Sequence, residues 1–129
     1  MVIDRCTVTT IDEKTFQICE EGFVNAYLLV GGDSALLVDT GNGSGNISDV
    51  VGTLTEHPVR VIATHGHADH LGGAGWFDEV LIHEADLAPV YRRSPGAFAS
   101  RVAAKMFGVA YHHTKKPHKA RFTPISLPF

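Results

Sequence analysis

No aspartate or glutamate follows Asp86. All 14 acidic residues of this 129-residue chain lie within residues 1–86, where Arg5, Lys14 and Arg60 are the only Lys or Arg side chains. The remaining third holds Arg92, Arg93, Arg101, Lys105, Lys115, Lys116, Lys119 and Arg121. The formal net charge of −3 hides this split. It leaves two expectations open. The basic end could meet an anion, a nucleic acid or a partner, or it could simply face the acidic front of the same domain.

Cysteine is also scarce. Cys6 and Cys19 are too few for a disulfide scaffold. They are expected to be reduced, although a hairpin could set them opposite one another. Long apolar runs are missing as well. The start, Met1–Phe16, carries Asp4, Arg5, Asp12, Glu13 and Lys14 and has no apolar h-region. No stretch approaches the length of a membrane span. The expected location is cytoplasmic, without membrane attachment.

What is present is ordinary for a folded domain: 44% hydrophobic and 19% charged residues. The length predicts one domain over 1–129 that buries roughly two-thirds of its unfolded surface.

The front of the chain reads as strands. Thr7–Ile11 and Thr15–Cys19 flank the polar Asp12-Glu13-Lys14 as a hairpin. Phe23–Val30 and Ala35–Val38 follow around the turn Gly31–Ser34, which predicts an antiparallel meander. The pattern then changes. Asp39–Gly45 is a loop, and Ile47–Leu54 reads as a helix capped by Asn46 or Ser48. Pro58 closes that segment before the β-branched run Val59–Ala63. Strand, helix, strand in this order predicts a parallel pairing. Thr64–Gly73 is a polar loop, a helical turn lies near Trp76, Val80–Ile82 is a strand and Glu84–Tyr91 a helix. Ser94-Pro95 would open a helix through about Phe107, with the stripe Phe98, Val102, Met106 and Val109 as a core face. From Ala110 onwards little regular pattern is visible.

The segment richest in chemistry is Thr64-His65-Gly66-His67-Ala68-Asp69-His70-Leu71-Gly72-Gly73. Imidazole is the commonest protein metal ligand and carboxylate a common oxygen ligand for zinc. His65 and His67, two apart on an extended segment, can point the same way. Asp69 and His70 can then turn towards a second point as a helix begins. A solvated histidine-rich loop is the plainer alternative in a chain with 8 histidines.

This segment resembles the H-x-H-x-D-H signature of the metallo-β-lactamase superfamily. Asn25–Val30 is similar to that family's early strand, Ala35–Gly41 to its strand ending in Asp-Thr-Gly, and Leu71-Gly72-Gly73 to the run after the ligands. The resemblance covers about residues 15–91. It implies an α/β fold, namely the N-terminal half of an αβ/βα sandwich, with a mixed sheet and helices on one face. It implies His65 and His67 as ligands of a first metal and Asp69 and His70 as ligands of a second. Asp69 would also orient the nucleophilic water, as the catalytic residue. Asp39 would support the site from behind, a plain turn aspartate being the alternative. The implied cofactor is zinc, one or two ions, with iron or manganese as alternatives. The implied activity is attack of metal-activated water on an ester, thioester, amide or phosphoester of an unidentified small-molecule substrate.

The family's later ligands have no counterpart here, so the chain is expected to be a truncated domain. A homo-oligomer burying the strands Phe23–Val30 and Ala35–Val38, or a missing C-terminal half, would then complete it. His83, His112, His113 and His118 are further candidates to complete a ligand set, and His57 reads as a turn residue. The alternative function is a catalytically silent metal-binding or interaction module derived from such an enzyme. Nucleic-acid binding by the basic tail, with Tyr111 and Phe122 for stacking, is the least expected.

Overall fold

A computed structural model of the chain describes residues 1–91 and 120–126, the side chains of 88–91 excepted. The helix expected from Ser94 to Phe107, its apolar stripe, and most of the basic tail lie outside the described residues.

Among the described residues, eight strands form one sheet in sequence order. They are β1 (Val2–Ile3), β2 (Cys6–Asp12), β3 (Thr15–Glu20), β4 (Val24–Val30), β5 (Ala35–Val38), β6 (Val59–Ile62), β7 (Glu79–His83) and β8 (Arg121–Ile125). The sheet is antiparallel from β1 to β5 and parallel from β5 to β8. The change of direction falls where a helix first enters the sequence, since parallel neighbours need a crossover. The described residues include three helices, α1 (Ile47–Leu54), α2 (Ala68–Leu71) and α3 (Glu84–Tyr91), with a 3-10 turn at Ala74–Trp76. Asn46 caps α1, its side chain accepting from the backbone N–H of Ser48 and Asp49.

Register carries a single buried stripe across the sheet. Val8 stands opposite Ile18, Ile18 opposite Ala26, Leu28 opposite Leu37, Leu37 beside Val61, and Val80 beside Phe122. Ile47, Val50 and Val51 of α1 belong to the same core. At about 25 cal/mol per Å² of apolar surface, burying each Leu or Ile contributes roughly 1.5–3 kcal/mol. The opposite sheet face is also apolar in part: Tyr27, Leu29, Leu36 and Val38 occupy its alternating positions in β4 and β5 and are only partly covered.

The expected elements from Thr7 to Tyr91 are present, most within a residue of their predicted bounds. Three details differ. A short β1 opens the sheet, Thr64–Gly73 contains the helical turn α2, and the tail contributes β8. Pro124 sits in β8, whose other edge pairs with no described strand, so its missing N–H costs no ladder bond there. Glu79 ties β7 to β8, accepting from Nη2 of Arg121 at 2.6 Å and from Oγ1 of Thr123 at 2.7 Å. Here a base of the tail does meet an acid of the front half. The two cysteines are free and face different neighbours, Cys6 opposite Glu20 and Cys19 opposite Thr7.

Candidate metal centre

The histidine loop leaves the carboxyl end of β6, beside the carboxyl ends of β5 and β7. In an open α/β sheet this is the edge where ligands bind. Asp39 follows β5 directly and adopts a left-handed conformation, φ 66°, which Asp tolerates better than most side chains. Its N–H donates to the carbonyl of Ile62 at 2.8 Å, so β5 and β6 fix where its side chain starts.

That side chain is buried and makes a compact set of bonds. Oδ1 accepts from the backbone N–H of Thr64 at 2.7 Å. The Thr64 hydroxyl lies 2.8 Å from Oδ2, and Nδ1 of His70 also lies 2.8 Å from Oδ2. A carboxylate can only accept, so His70 carries a proton on Nδ1, and in the neutral ring its Nε2 lone pair is free. Thr64 donates its one hydroxyl proton to Asp39, the stronger, charge-assisted acceptor. Its oxygen then accepts from Nδ1 of His65, 2.9 Å away. His65 is thereby held in the same tautomer, again with Nε2 free. One buried carboxylate thus sets two imidazoles, one directly and one through a hydroxyl.

The three imidazole rings lie side by side. The ring centroids of His65 and His70 are 4.2 Å apart, and those of His65 and His67 are 4.6 Å apart. Nε2 of His70 lies 3.6 Å from Oδ2 of Asp69. Two donors at zinc-ligand distances around one tetrahedral ion are separated by about 3.4 Å, so this pair suits adjacent positions on one ion. Among the described residues, no group of three or more His, Cys, Asp or Glu side chains is gathered to hold an ion. The donor chemistry fits a metal two ligands at a time.

Close packing fixes the far side of the loop. Thr40 donates its N–H to the His70 carbonyl at 2.9 Å, and Gly72 donates to the carbonyl of Gly41 at 2.8 Å. A Cβ on Gly72 would overlap the backbone carbonyl of Asn42. The approach of the two chains therefore demands glycine there.

All five residues expected from the sequence, His65, His67, Asp69, His70 and Asp39, lie in or directly behind this loop. His83 does not join them as a ready ligand: its Nδ1 accepts from the N–H of Ala85 at 3.1 Å, which puts its proton on Nε2. His112, His113 and His118 lie outside the described residues. Two contributors carry no sequence signal of their own. Thr64 gains its part only because Asp39 lies beside it. Asp86 of α3 accepts from the N–H of Gly66 at 3.2 Å and so steadies the turn between His65 and His67. Glu20, a carboxylate at an inward position of β3 after Phe16 and Ile18, does carry a signal: it breaks an apolar alternation.

Comparison with known proteins finds relatives in sequence and in fold. The sequence profile of the metallo-beta-lactamase superfamily matches residues 19–127. The acyl-coenzyme A thioesterase MBLAC2 of Gallus gallus is 34% identical over 77 residues, covering 53% of this chain and 28% of that protein. The lactamase-like protein aptB of Emericella nidulans is 36% identical over 77 residues, covering 57% and 24%. Thioesterase pkgB of the same organism is 33% identical over 75 residues, covering 55% and 21%. Among solved structures, a metallo-beta-lactamase from Erythrobacter litoralis superposes with a TM-score of 0.59 at 21% identity, covering 71% of this chain and 47% of that one. FIM-1 from Pseudomonas aeruginosa, in its mono-zinc form, superposes with a TM-score of 0.54 at 20% identity, covering 67% and 46%. The chain spans about a quarter of the length of these curated relatives and about half that of these structures.

Proposed function

Because this chain belongs to the metallo-β-lactamase superfamily, we propose that its histidine loop is the metal-holding part of a metal-dependent hydrolase, with a thioester as the favoured bond. The observation that carries the reading is the shared orientation of His65 and His70 by Asp39, which turns both Nε2 atoms away from it, that of His70 towards Asp69. The thioester is favoured because matched relatives are named thioesterases.

In this reading His65 and His67 hold one zinc ion, and Asp69 and His70 hold a second or share the first. Iron or manganese suit the same nitrogen and oxygen donors. When bound, the metal supplies Lewis acidity, which activates water near neutral pH and polarises the carbonyl. The protein's own groups do the rest. Asp69, beside Nε2 of His70, orients the water and accepts its proton. Asp39 and Thr64 hold the imidazoles in place. Water adds to the thioester carbonyl, the C–S bond breaks, and a carboxylate and a thiol leave. The remaining ligands come from outside the described residues, from a second copy of the chain or from a further polypeptide segment.

A second reading has one observation in its favour. Since donors are gathered only in pairs among the described residues, the loop could bind metal weakly and turn nothing over. One experiment separates the two. Metal content per chain is measured by elemental mass spectrometry beside His67→Ala, and release of thiol from an acyl-coenzyme A thioester is followed on the same samples. One or two equivalents of metal with thiol release, both lost in the variant, support the enzyme. Metal without thiol release supports the silent module. Metal near zero in the unaltered chain overturns the metal reading.

A further inference from the structure

We propose that Glu20 is a positioning residue for the metal loop, acting through the 41–45 segment and its contact with α2. The inference rests on the reading of His65–His70 as a metal site, and it starts well away from that site. Glu20 ends β3 and is 2% exposed. A carboxylate buried that deeply is costly unless its oxygens are satisfied. Here Oε2 accepts from the N–H of Asn42 at 2.6 Å and Oε1 from the N–H of Gly45 at 3.0 Å. The segment they belong to forms no helix or strand, so its buried N–H groups need such partners. A Cβ on Gly41 would overlap Oε2 of Glu20, so carboxylate and loop are in direct contact.

The other side of the same segment meets α2. Gly43, at φ 86°, faces Gly72 so closely that a Cβ would overlap the Gly72 carbonyl. Gly72 donates to the Gly41 carbonyl, and Thr40 donates to the His70 carbonyl. Asp4 anchors the end of the segment, accepting from the N–H of Asn46 at 2.6 Å. The segment is thus clamped between two carboxylates, Asp4 in the turn from β1 to β2 and Glu20 at the end of β3, and the glycine that ends α2. Any displacement of Asn42 must move Gly72, and Gly72 sits two residues after His70. Glu20 thereby sets where Asp69 and His70 stand without touching either.

The test replaces Glu20 by Gln, which keeps the volume but turns an amide N–H₂ towards one of the two backbone donors. Amide hydrogen exchange is read without metal, and zinc affinity is read by competition with a chromophoric chelator. Faster exchange is expected at Asn42 and Gly45 and also at Thr40 and Gly72, with zinc affinity lower by about tenfold. Gly43→Ala, which wedges the segment from α2 with Glu20 intact, is expected to speed exchange at Gly72 as well. Exchange that rises only at Asn42 and Gly45, or a Gly72 amide indifferent to Gly43→Ala, overturns the proposal. Failure of the unaltered chain to bind zinc would overturn the metal reading instead, and the exchange data would still decide whether Glu20 governs α2.

Discussion

Oδ2 of Asp39 lies 2.8 Å from Nδ1 of His70, across 31 residues of chain. The contact joins the end of β5 to the first turn after β6, and it fixes which nitrogen of His70 can face a metal. Asp39→Asn tests it with little disturbance, because Asn also tolerates the left-handed backbone of this position. An amide facing both a hydroxyl and an N–H must leave one donor unmet. Zinc affinity is expected to fall by about 10–100-fold with the fold retained, the usual effect of losing a group that orients a ligating imidazole. Chelator competition measures it, and an unchanged affinity would show that His70 needs no such support.

Thr64 stands between Asp39 and His65, so its effect should depend on Asp39. Thr64→Val keeps the β-branched shape and removes the hydroxyl. It is expected to weaken zinc binding less than Asp39→Asn does, since the bond to His70 survives. In the double variant the losses should be less than additive, because both act on His65 through one relay. Nitrogen NMR of the imidazoles provides an independent readout: the Nδ1–H tautomer of His65 should lose its dominance in Thr64→Val, while that of His70 stays. Strictly additive losses would argue against the relay.

The strands and helices up to Tyr91 were legible because their signals are local: β-branched runs, a capping Asn46, glycine turns. The donors were legible because His65, His67, Asp69 and His70 are close in sequence. The supporting groups were harder to see. Asp39 was visible through family resemblance, but its bonds to Thr64 and His70 depend on β5 pairing with β6, a contact between segments about 25 residues apart. Asp86 meets Gly66 only because α3 folds back over the loop. Strand β8 was missed for a different reason: Pro124 and the neighbouring bases look unlike a strand, and only pairing with β7 makes one.

Two glycines should respond in opposite directions. At Gly72 a Cβ would overlap the backbone of Asn42, which has no room to yield. Gly72→Ala is expected to destabilise the chain by about 1–3 kcal/mol or more, the range for overpacking against rigid neighbours. Gly52 lies inside α1 with nothing within 4 Å of an added Cβ. Gly52→Ala is expected to stabilise by about 0.5–1 kcal/mol, the helix-interior difference between the two residues. Urea unfolding of both variants checks the pair. Equal effects would mean that the close approach of the 41–45 segment to α2 is not maintained in solution.

Stability and loop order should part company at Glu20. Burial pushes its carboxyl above the ordinary value of 4.5, against the N–H groups of Gly45 and Asn42 that pull it down. Cys6 stands opposite it on β2. Its thiol is pushed up to about 12, by burial first and Glu20 second, and so stays protonated throughout the acid range. Asp4 lies beyond Cys6, and Arg5 is engaged with Glu21 at 2.6 Å. A carboxyl whose pKa is raised on folding contributes its full stability below the unfolded value and loses it as pH rises through the folded one. Relative to Glu20→Gln, the unaltered chain is therefore expected to lose melting temperature as pH climbs from about 4.5, then to run parallel once Glu20 is fully ionised. At neutral pH the variant should melt no lower, yet exchange faster at Gly72. A residue kept only for stability would show the reverse, with a lower melting point and an undisturbed α2. Curves parallel at every pH would mean that the bonds from Asn42 and Gly45 offset the whole cost of burying the charge.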